Sequence, residues 1–121
     1  MAQLLVVDDS PTELHALKTM LNGHGYQVTV VDNAEDGIRL AQQQNPDLIL
    51  MDVVMPGMNG FQATRALSKD PATGSIPIII VTTKDQETDR VWGLRQGAKD
   101  YVTKPVVEQE LVAKINSLLG A

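Results

Sequence analysis

Residues 4–9 read Leu-Leu-Val-Val-Asp-Asp, a short apolar run that ends at two adjacent carboxylates. Three further apolar runs also end at a polar or charged side chain. They are Leu-Ile-Leu-Met-Asp at 48–52, Ile-Ile-Ile-Val-Thr at 78–82 and Asp-Tyr-Val-Thr-Lys-Pro at 100–105. Short runs rich in Val, Ile and Leu without strict alternation are typical of strands covered on both faces. If these runs are neighbouring parallel strands, their polar ends converge at one edge of the sheet.

Segments with helical periodicity lie between the apolar runs. We predict strands over residues 4–7, 28–31, 48–51, 78–81 and 101–102, with one helix after each. The predicted core positions of the helices are Leu14, Leu17, Leu21, Ala34, Ile38, Ala41, Ala63, Leu67, Val91, Leu94, Leu111, Ile115 and Leu118. This alternation predicts an α/β fold with a doubly wound, five-stranded parallel sheet in the order 2-1-3-4-5. The first and third strands then end beside one crevice.

Composition narrows the class of protein. The 121 residues predict one domain over 1–121, and the last helical pattern reaches the C-terminus, so we expect no effector domain. A net charge of −5 argues against nucleic-acid binding, and the lack of cysteine excludes disulfides and thiolate metal sites. No apolar run is long enough to cross a membrane. We therefore expect a cytoplasmic protein without membrane insertion.

Three carboxylates are expected at the crevice, from Asp8, Asp9 and Asp52. Clustered carboxylates cannot all stay ionised without a cation, and Lys104 supplies only one positive charge. A divalent ion would balance the two remaining negative charges, and Mg²⁺ prefers oxygen ligands. The loop after Asp52 contains Pro56 and Gly57 and can direct the backbone carbonyl of Val54 to the same ion. The sequence therefore predicts a Mg²⁺ site next to a carboxylate that can act as a nucleophile.

Four further residues are candidates for the site or for a partner surface. The Thr82 hydroxyl can donate a hydrogen bond to an anion, and a cis peptide before Pro105 would direct the Lys104 ammonium back across the crevice. Tyr101 is expected to be half-buried in an edge strand. Trp92 is the only tryptophan, and we predict that it is partly exposed as an anchor for a partner.

Six pieces of sequence, in this order and at these separations, resemble the receiver domain of bacterial two-component response regulators. The pieces are Val-Asp-Asp at 7–9, Leu-Met-Asp at 50–52, Met-Pro-Gly-Met-Asn-Gly at 55–60, Val-Thr at 81–82, Gly-Ala-Lys-Asp-Tyr at 97–101 and Lys-Pro at 104–105. The resemblance covers essentially the whole chain and implies the CheY-like fold.

The resemblance also implies a phosphorelay mechanism. Asp52 would accept a phosphoryl group from a phosphohistidine of a sensor histidine kinase. Asp8, Asp9, Asp52 and the Val54 carbonyl would hold Mg²⁺, while Lys104 would stabilise the phosphoryl oxygens.

The resemblance further implies a conformational switch. Thr82 would move to hydrogen-bond the phosphoryl group, and Tyr101 would then turn inward. This change would alter the face formed by the fourth helix, fifth strand and fifth helix, where the downstream partner binds. Trp92 and Tyr101 are the partner-binding candidates, and the domain is expected to be a monomer or a weak homodimer.

Residues 9–13, 58–65 and 81–93 are similar to single-domain regulators of twitching motility, which suggests control of type IV pili through a chemotaxis-like kinase. Thr83 stands where many receivers carry Ala or Gly, and its bulk is expected to hinder the inward movement of Tyr101. Val54 and Lys84 flank the phosphoryl site, and neither is an acid or amide that could orient water. We therefore expect slow self-dephosphorylation.

Three alternatives to a signalling module remain at this point. The protein could serve as a phosphate sink for a chemotaxis-like kinase. An aspartate-nucleophile phosphatase is disfavoured because Val54 occupies the place of its general acid. A flavin carrier of the flavodoxin type is disfavoured because Asp8 and Asp9 would repel the flavin phosphate. We expect no turnover of an external metabolite, only self-phosphorylation and self-dephosphorylation.

Overall fold

The computed structural model describes residues 2–120, and in this part of the chain five strands alternate with five helices. The strands are β1 (Gln3–Val7), β2 (Gln27–Val31), β3 (Leu48–Met51), β4 (Ile78–Thr82) and β5 (Asp100–Thr103). The helices are α1 (Pro11–Gly23), α2 (Ala34–Gln44), α3 (Gly60–Lys69), α4 (Glu87–Gln96) and α5 (Glu108–Leu119). The strands form one parallel sheet in the order β2-β1-β3-β4-β5, as predicted.

The register of the sheet aligns the ends of β1 and β3. Val7, the last residue of β1, pairs with Met51, the last residue of β3. The backbone N–H of Asp52 donates to the carbonyl of Val7 at 2.9 Å, which extends the pairing one residue past the strand. Asp8 and Asp52 therefore lie side by side at the carboxyl edge of the sheet.

Several helices begin at residues whose side chains accept backbone hydrogen bonds. Ser10 caps α1 by accepting from the N–H of Glu13 at 3.3 Å, and Pro11 follows at the first helical position. Asn59 caps α3, and its side chain and that of Gln62 form a reciprocal capping box. These caps begin α1 and α3 directly after the loops that carry the acidic residues.

The helices cover both faces of the sheet, and their predicted core positions are mostly buried. Leu14, Leu17 and Leu21 of α1 pack with the α5 residues on one face. Residues of α2 and α3 pack on the other face. Ile38, Leu94 and Leu118 are partly buried at the borders of these clusters. No helix among residues 2–120 is long and apolar enough to cross a membrane.

The prediction that Val91 is a core residue was wrong, because its side chain is 40% exposed. Helix α4 instead approaches the sheet through Gly93, which is buried. A Cβ atom at position 93 would lie 2.7 Å from Cδ1 of Ile80 and 3.2 Å from the Tyr101 ring. The absence of a side chain allows α4 to pack closely at this point, and the helix rotation that follows turns Val91 to solvent.

Candidate functional site

Three carboxylates meet at the carboxyl edge of the sheet. Asp8, Asp9 and Asp52 each offer one oxygen, and these oxygens all lie within 4.8 Å of one another. Asp8 and Asp52 are buried, whereas Asp9 is exposed. In a strand, successive side chains point to opposite faces of the sheet. Because β1 ends at Val7, this rule does not apply to Asp8 and Asp9, and both side chains can face one site. The predicted acidic cluster is therefore formed.

Asp52 lies in a short loop that holds its carboxylate in place. Its Oδ1 atom accepts from the backbone N–H of Val53 at 2.7 Å and from that of Val54 at 3.3 Å. Burial raises the pKa of Asp52, and the negative charge of Asp8 raises it further. The charge of Lys104, the Thr82 hydroxyl and the Val54 N–H act in the opposite direction. The site thus contains more negative charge than its protein cation balances.

Lys104 is the cation of the cluster, and it enters from the loop between β5 and α5. Its Nζ atom lies 2.7 Å from Oδ2 of Asp8 and 3.5 Å from Oδ2 of Asp52. The peptide between Lys104 and Pro105 is cis. Burial lowers the pKa of Lys104, but the hydrogen bond to Asp8 and the charges of Asp52, Asp8 and Glu13 raise it by more. Lys104 is therefore held in its charged form.

Glu13 and Gly60 belong to the surroundings of the site and were not predicted. Oε2 of Glu13 lies 3.9 Å from Nζ of Lys104. Its position in the first turn of α1, three residues after the cap Ser10, was the available signal. A Cβ atom at Gly60 would lie 1.9 Å from the carbonyl oxygen of Asp52, so α3 begins in direct contact with the Asp52 loop.

Thr82 and Tyr101 meet at the backbone of Lys84. The Thr82 hydroxyl oxygen is buried and accepts from the N–H of Lys84 at 3.4 Å. The Tyr101 hydroxyl donates to the carbonyl of the same residue at 2.8 Å. The loop between β4 and α4 is thus held by one side chain from the site and one from β5.

Tyr101 is more buried than expected, with 8% of its surface exposed. Its ring lies next to Gly93, where the absence of a side chain leaves room for it. Burial, followed by the charges of Asp89, Asp52 and Asp85, raises the pKa of its phenol to about 12. Thr83 is exposed, and its effect on the movement of Tyr101 stays a prediction.

Trp92 is 51% exposed, as predicted. It faces the grooves on α4 and between α3 and α4, and it lies apart from the acidic cluster. Val54 is also half exposed, with its N–H bonded to Asp52. The role of the Val54 carbonyl as a metal ligand stays a prediction.

The donor set of the acidic cluster fits Mg²⁺. Mg²⁺ is bound in proteins through one or two carboxylates, with water and substrate oxygens completing the coordination. The carboxylate oxygens of Asp8, Asp9 and Asp52 are close enough to share one ion. The negative charge of Asp8 contributes to the raised pKa of Asp52, and the positive charge of a divalent cation at the cluster would lower that pKa.

Residues 4–116 match the family described as "Response regulator receiver domain". The chain is 62% identical to Protein PilH of Pseudomonas aeruginosa over 120 residues, which is 99% of each chain. Among solved structures it is similar to the chemotaxis protein CheY4 of Vibrio cholerae, with a TM-score of 0.91, 28% identity and coverage of 98% of each chain.

A second solved structure is the receiver domain of the sensor histidine kinase PA1611 from Pseudomonas aeruginosa. Its TM-score is 0.91 at 32% identity, covering 99% of this chain and 98% of that one. That structure is described with a magnesium ion coordinated in the active site cleft.

Proposed function

Because this chain belongs to the family of response regulator receiver domains, we propose that it accepts a phosphoryl group on Asp52 from a sensor histidine kinase. The observation that carries this proposal is the position of the Asp52 carboxylate. It is buried at the end of β3, with Nζ of Lys104 at 3.5 Å and the carboxylates of Asp8 and Asp9 beside it. Such a site suits a nucleophile that meets a highly charged phosphoryl donor.

The proposed reaction is a transfer between two side chains. A carboxylate oxygen of Asp52 attacks the phosphorus of a phosphohistidine, and the P–N bond breaks with its electron pair returning to the imidazole nitrogen. The product is an acyl phosphate on Asp52 and an unmodified histidine on the kinase. Water later attacks this acyl phosphate and releases inorganic phosphate, which regenerates the carboxylate.

Lys104 and the acidic residues have separate roles in this proposal. Lys104, held in its charged form by Asp8, binds a phosphoryl oxygen and stabilises the charge that develops there. Asp8, Asp9 and Asp52, with the Val54 carbonyl, would hold Mg²⁺. When bound, the ion would neutralise negative charge on the phosphoryl oxygens. The burial of Asp8 and Asp52 strengthens these electrostatic effects.

The contacts of Lys84 support a route from the phosphoryl site to the surface. Phosphorylation draws the Thr82 hydroxyl toward the phosphoryl oxygens and away from the N–H of Lys84. The loop between β4 and α4 then adjusts, and the hydrogen bond from Tyr101 to the Lys84 carbonyl changes with it. Because Tyr101 contacts Gly93 of α4, this shift reaches the face formed by α4, β5 and α5. This face is proposed to bind the downstream target.

The proposed setting is a motility pathway in the cytoplasm. The resemblance to twitching-motility regulators and the 62% identity to Protein PilH support control of type IV pili through a chemotaxis-like kinase. In this setting the chain acts as a single receiver domain over residues 1–121, and its output is a binding event. It turns over its own phosphoryl group and no external metabolite.

The phosphoryl group is proposed to have a long lifetime. Val54 is apolar and half exposed, and Lys84 carries no acid or amide, so neither side chain orients an attacking water. A long lifetime favours a signalling role over rapid drainage of phosphate from a kinase. Measured hydrolysis as fast as that of the quickest single-domain receivers would instead favour the phosphate sink.

The test of this function is intact-mass spectrometry after incubation with acetyl phosphate, with and without Mg²⁺. The expected result is one Mg²⁺-dependent phosphoryl adduct in the wild type and none in Asp52→Asn. The matched control is Asp47→Asn, because Asp47 is an exposed aspartate outside the acidic cluster. An adduct that persists in Asp52→Asn, or forms equally without Mg²⁺, would contradict the assignment. If no adduct forms, the assay is repeated with a phosphorylated histidine kinase, and failure there also contradicts it.

A further inference from the structure

Helix α4 exposes two adjacent large apolar side chains. Val91 and Trp92 are 40% and 51% exposed, and within residues 2–120 only Val54 and Val107 show comparable exposure among large apolar residues. A half-exposed tryptophan loses the free energy that burial of its ring would supply. Trp92 is therefore a candidate for a side chain that is buried by another molecule.

Trp92 lies between two grooves. The first has a volume of about 270 Å³ and runs along α4, where it is lined by Glu87, Thr88, Val91, Trp92 and Arg95. The second has a volume of about 420 Å³ and lies between α3 and α4, where it is lined by Asn59, Phe61, Gln62, Arg65, Trp92 and Gln96. We call these two grooves together the Trp92 surface. No residue of β5 or α5 lines either groove, so the Trp92 surface shares only α4 with the α4–β5–α5 face.

The charge of the Trp92 surface is opposite to that of the whole domain. The net charge of the chain is −5, yet Arg65 and Arg95 border the grooves. Across residues 2–120, neither arginine has a carboxylate within 4.0 Å, and Arg65 only meets Oε1 of Gln96 at 3.5 Å. Glu87, the one acid that lines a groove, is bonded to Arg90 at 3.5 Å. The two arginines are thus available to carboxylates from outside.

We propose that the Trp92 surface binds an acidic segment of a partner protein, with an apolar side chain of that segment packed beside Trp92. Tryptophan and arginine are the residue types enriched where interfaces concentrate their binding free energy. Carboxylates of the segment would pair with Arg65 and Arg95, whose planar groups bind carboxylates through two hydrogen bonds.

Other occupants fit the surface less well. In a symmetric dimer the same patch would face itself, and its only acid, Glu87, is already paired with Arg90, so the patch offers Arg65 and Arg95 no free carboxylate. A nucleic acid or an anionic membrane would extend over the acidic remainder of the domain, whereas a short segment meets only the grooves. These considerations favour a short acidic segment.

The test uses a phage-displayed random dodecapeptide library selected against the wild-type protein. The leading peptide is then synthesised, and its binding is measured by the fluorescence of Trp92, the single tryptophan of the chain. We expect enriched peptides with at least two acidic residues and one large apolar residue. Binding should shift the Trp92 emission to the blue, and it should weaken as NaCl increases, because exposed charge pairs are screened.

The variants are compared by fluorescence anisotropy of the labelled peptide. Each of Arg65→Glu and Arg95→Glu should weaken binding by about tenfold, as charge reversal of a surface pair predicts. Trp92→Ala should weaken it by roughly 30-fold or more, which is typical of a central interface residue. The control is Lys18→Glu, which reverses one exposed charge on α1, as each arginine variant does on its own helix, and should leave affinity unchanged.

Several results would overturn the proposal. No enrichment above an unrelated control protein, or enrichment of neutral or basic peptides, would contradict an acidic partner. Equal affinity of the arginine variants and wild type in proteins with unchanged circular dichroism would place binding elsewhere. Sedimentation velocity provides a last criterion. A dimer that forms with increasing concentration and is abolished by Arg65→Glu would identify a second copy of the chain as the occupant.

Discussion

Replacing Gly60 by alanine tests how closely α3 supports the phosphoryl site. A Cβ atom at this position would lie 1.9 Å from the carbonyl oxygen of Asp52 and 2.8 Å from Cα of Val53. Both neighbours are backbone atoms, so no flexible side chain can move away. To restore even a 3.0 Å contact, helix and loop must separate by about 1.1 Å. The N–H of Gly60 donates to the carbonyl of Val53 at 3.1 Å, and this bond would be strained or lost.

The expected effects on stability and on chemistry can both be estimated. Overpacking of a close contact typically costs 1–3 kcal/mol, and the backbone-to-backbone clash at Gly60 suggests about 3 kcal/mol. For a chain of 121 residues this corresponds to a fall in Tm of about 12 °C. Displacement of the Asp52 loop by about 1 Å should also slow phosphorylation by about 100-fold, because the geometry of the attack is lost.

The assay combines urea denaturation with the initial rate of acetyl phosphate labelling. The matched control is Gly23→Ala at the end of α1, where a Cβ atom would meet nothing within 4 Å. Alanine there should stabilise the protein by about 0.5 kcal/mol and leave the labelling rate unchanged. If Gly60→Ala kept the free energy of unfolding within about 0.5 kcal/mol of wild type, the reasoning would be refuted, since it requires a fixed loop.

Thr64 is buried in α3, and its hydroxyl has no hydrogen-bond partner among residues 2–120. Thr64→Val should therefore raise the free energy of unfolding by about 1 kcal/mol, measured by urea denaturation, and a loss of stability would show that the hydroxyl is bonded. Lys104→Met should slow labelling of Asp52 by about 100-fold at saturating Mg²⁺, and an unchanged rate would remove Lys104 from the chemistry. Val54→Asn supplies an amide beside the phosphoryl site and should speed hydrolysis of phospho-Asp52 by about tenfold or more, followed as phosphate release; no change would remove the explanation for a long lifetime. The phenol of Tyr101 should ionise at about pH 12, as seen by near-ultraviolet absorbance and absent in Tyr101→Phe. Because the pKa is raised above 10.0, the stability that depends on the neutral phenol is complete below pH 10 and is lost as the pH rises toward 12. A step at pH 10 that is present in the folded wild type and absent in Tyr101→Phe would contradict the burial of Tyr101, since the chain also contains Tyr26.

Most of the secondary structure was predictable because local signals and the global fold agree. The strands were predicted to within one residue at each end, because apolar runs such as Ile-Ile-Ile-Val at 78–81 have the length of a strand and are too short for a helix. Ser10 and Asn59 cap the starts of α1 and α3, and Gly97 ends α4 in a left-handed conformation, so local residue types agree with these helix ends. Helix α4 was the exception, because its contact with the sheet is made by Gly93, a residue that no hydrophobic pattern highlights.

The composition of the acidic cluster was also predictable, but its surroundings were not. Asp8, Asp9 and Asp52 follow strands that must end at one edge if the sheet is parallel. The closeness of Glu13 to Lys104 depends on how α1 crosses the sheet. The contact of Gly60 with the Asp52 carbonyl depends on where α3 starts in space. Neither relation is expressed by spacing along the chain.

The sequence by itself determined which residues end the strands, and therefore which chemical groups could meet at the edge of the sheet. Alternation of apolar runs with helical patterns was sufficient for this, because burial of apolar side chains is encoded locally by residue type and period. The tertiary structure alone decided which of these groups share a partner. The meeting of Thr82 and Tyr101 at the backbone of Lys84, and the position of Trp92 in the groove between α3 and α4, arise from how the elements pack on one another. Packing depends on contacts between residues far apart in the chain, and the pattern of a single segment does not contain them.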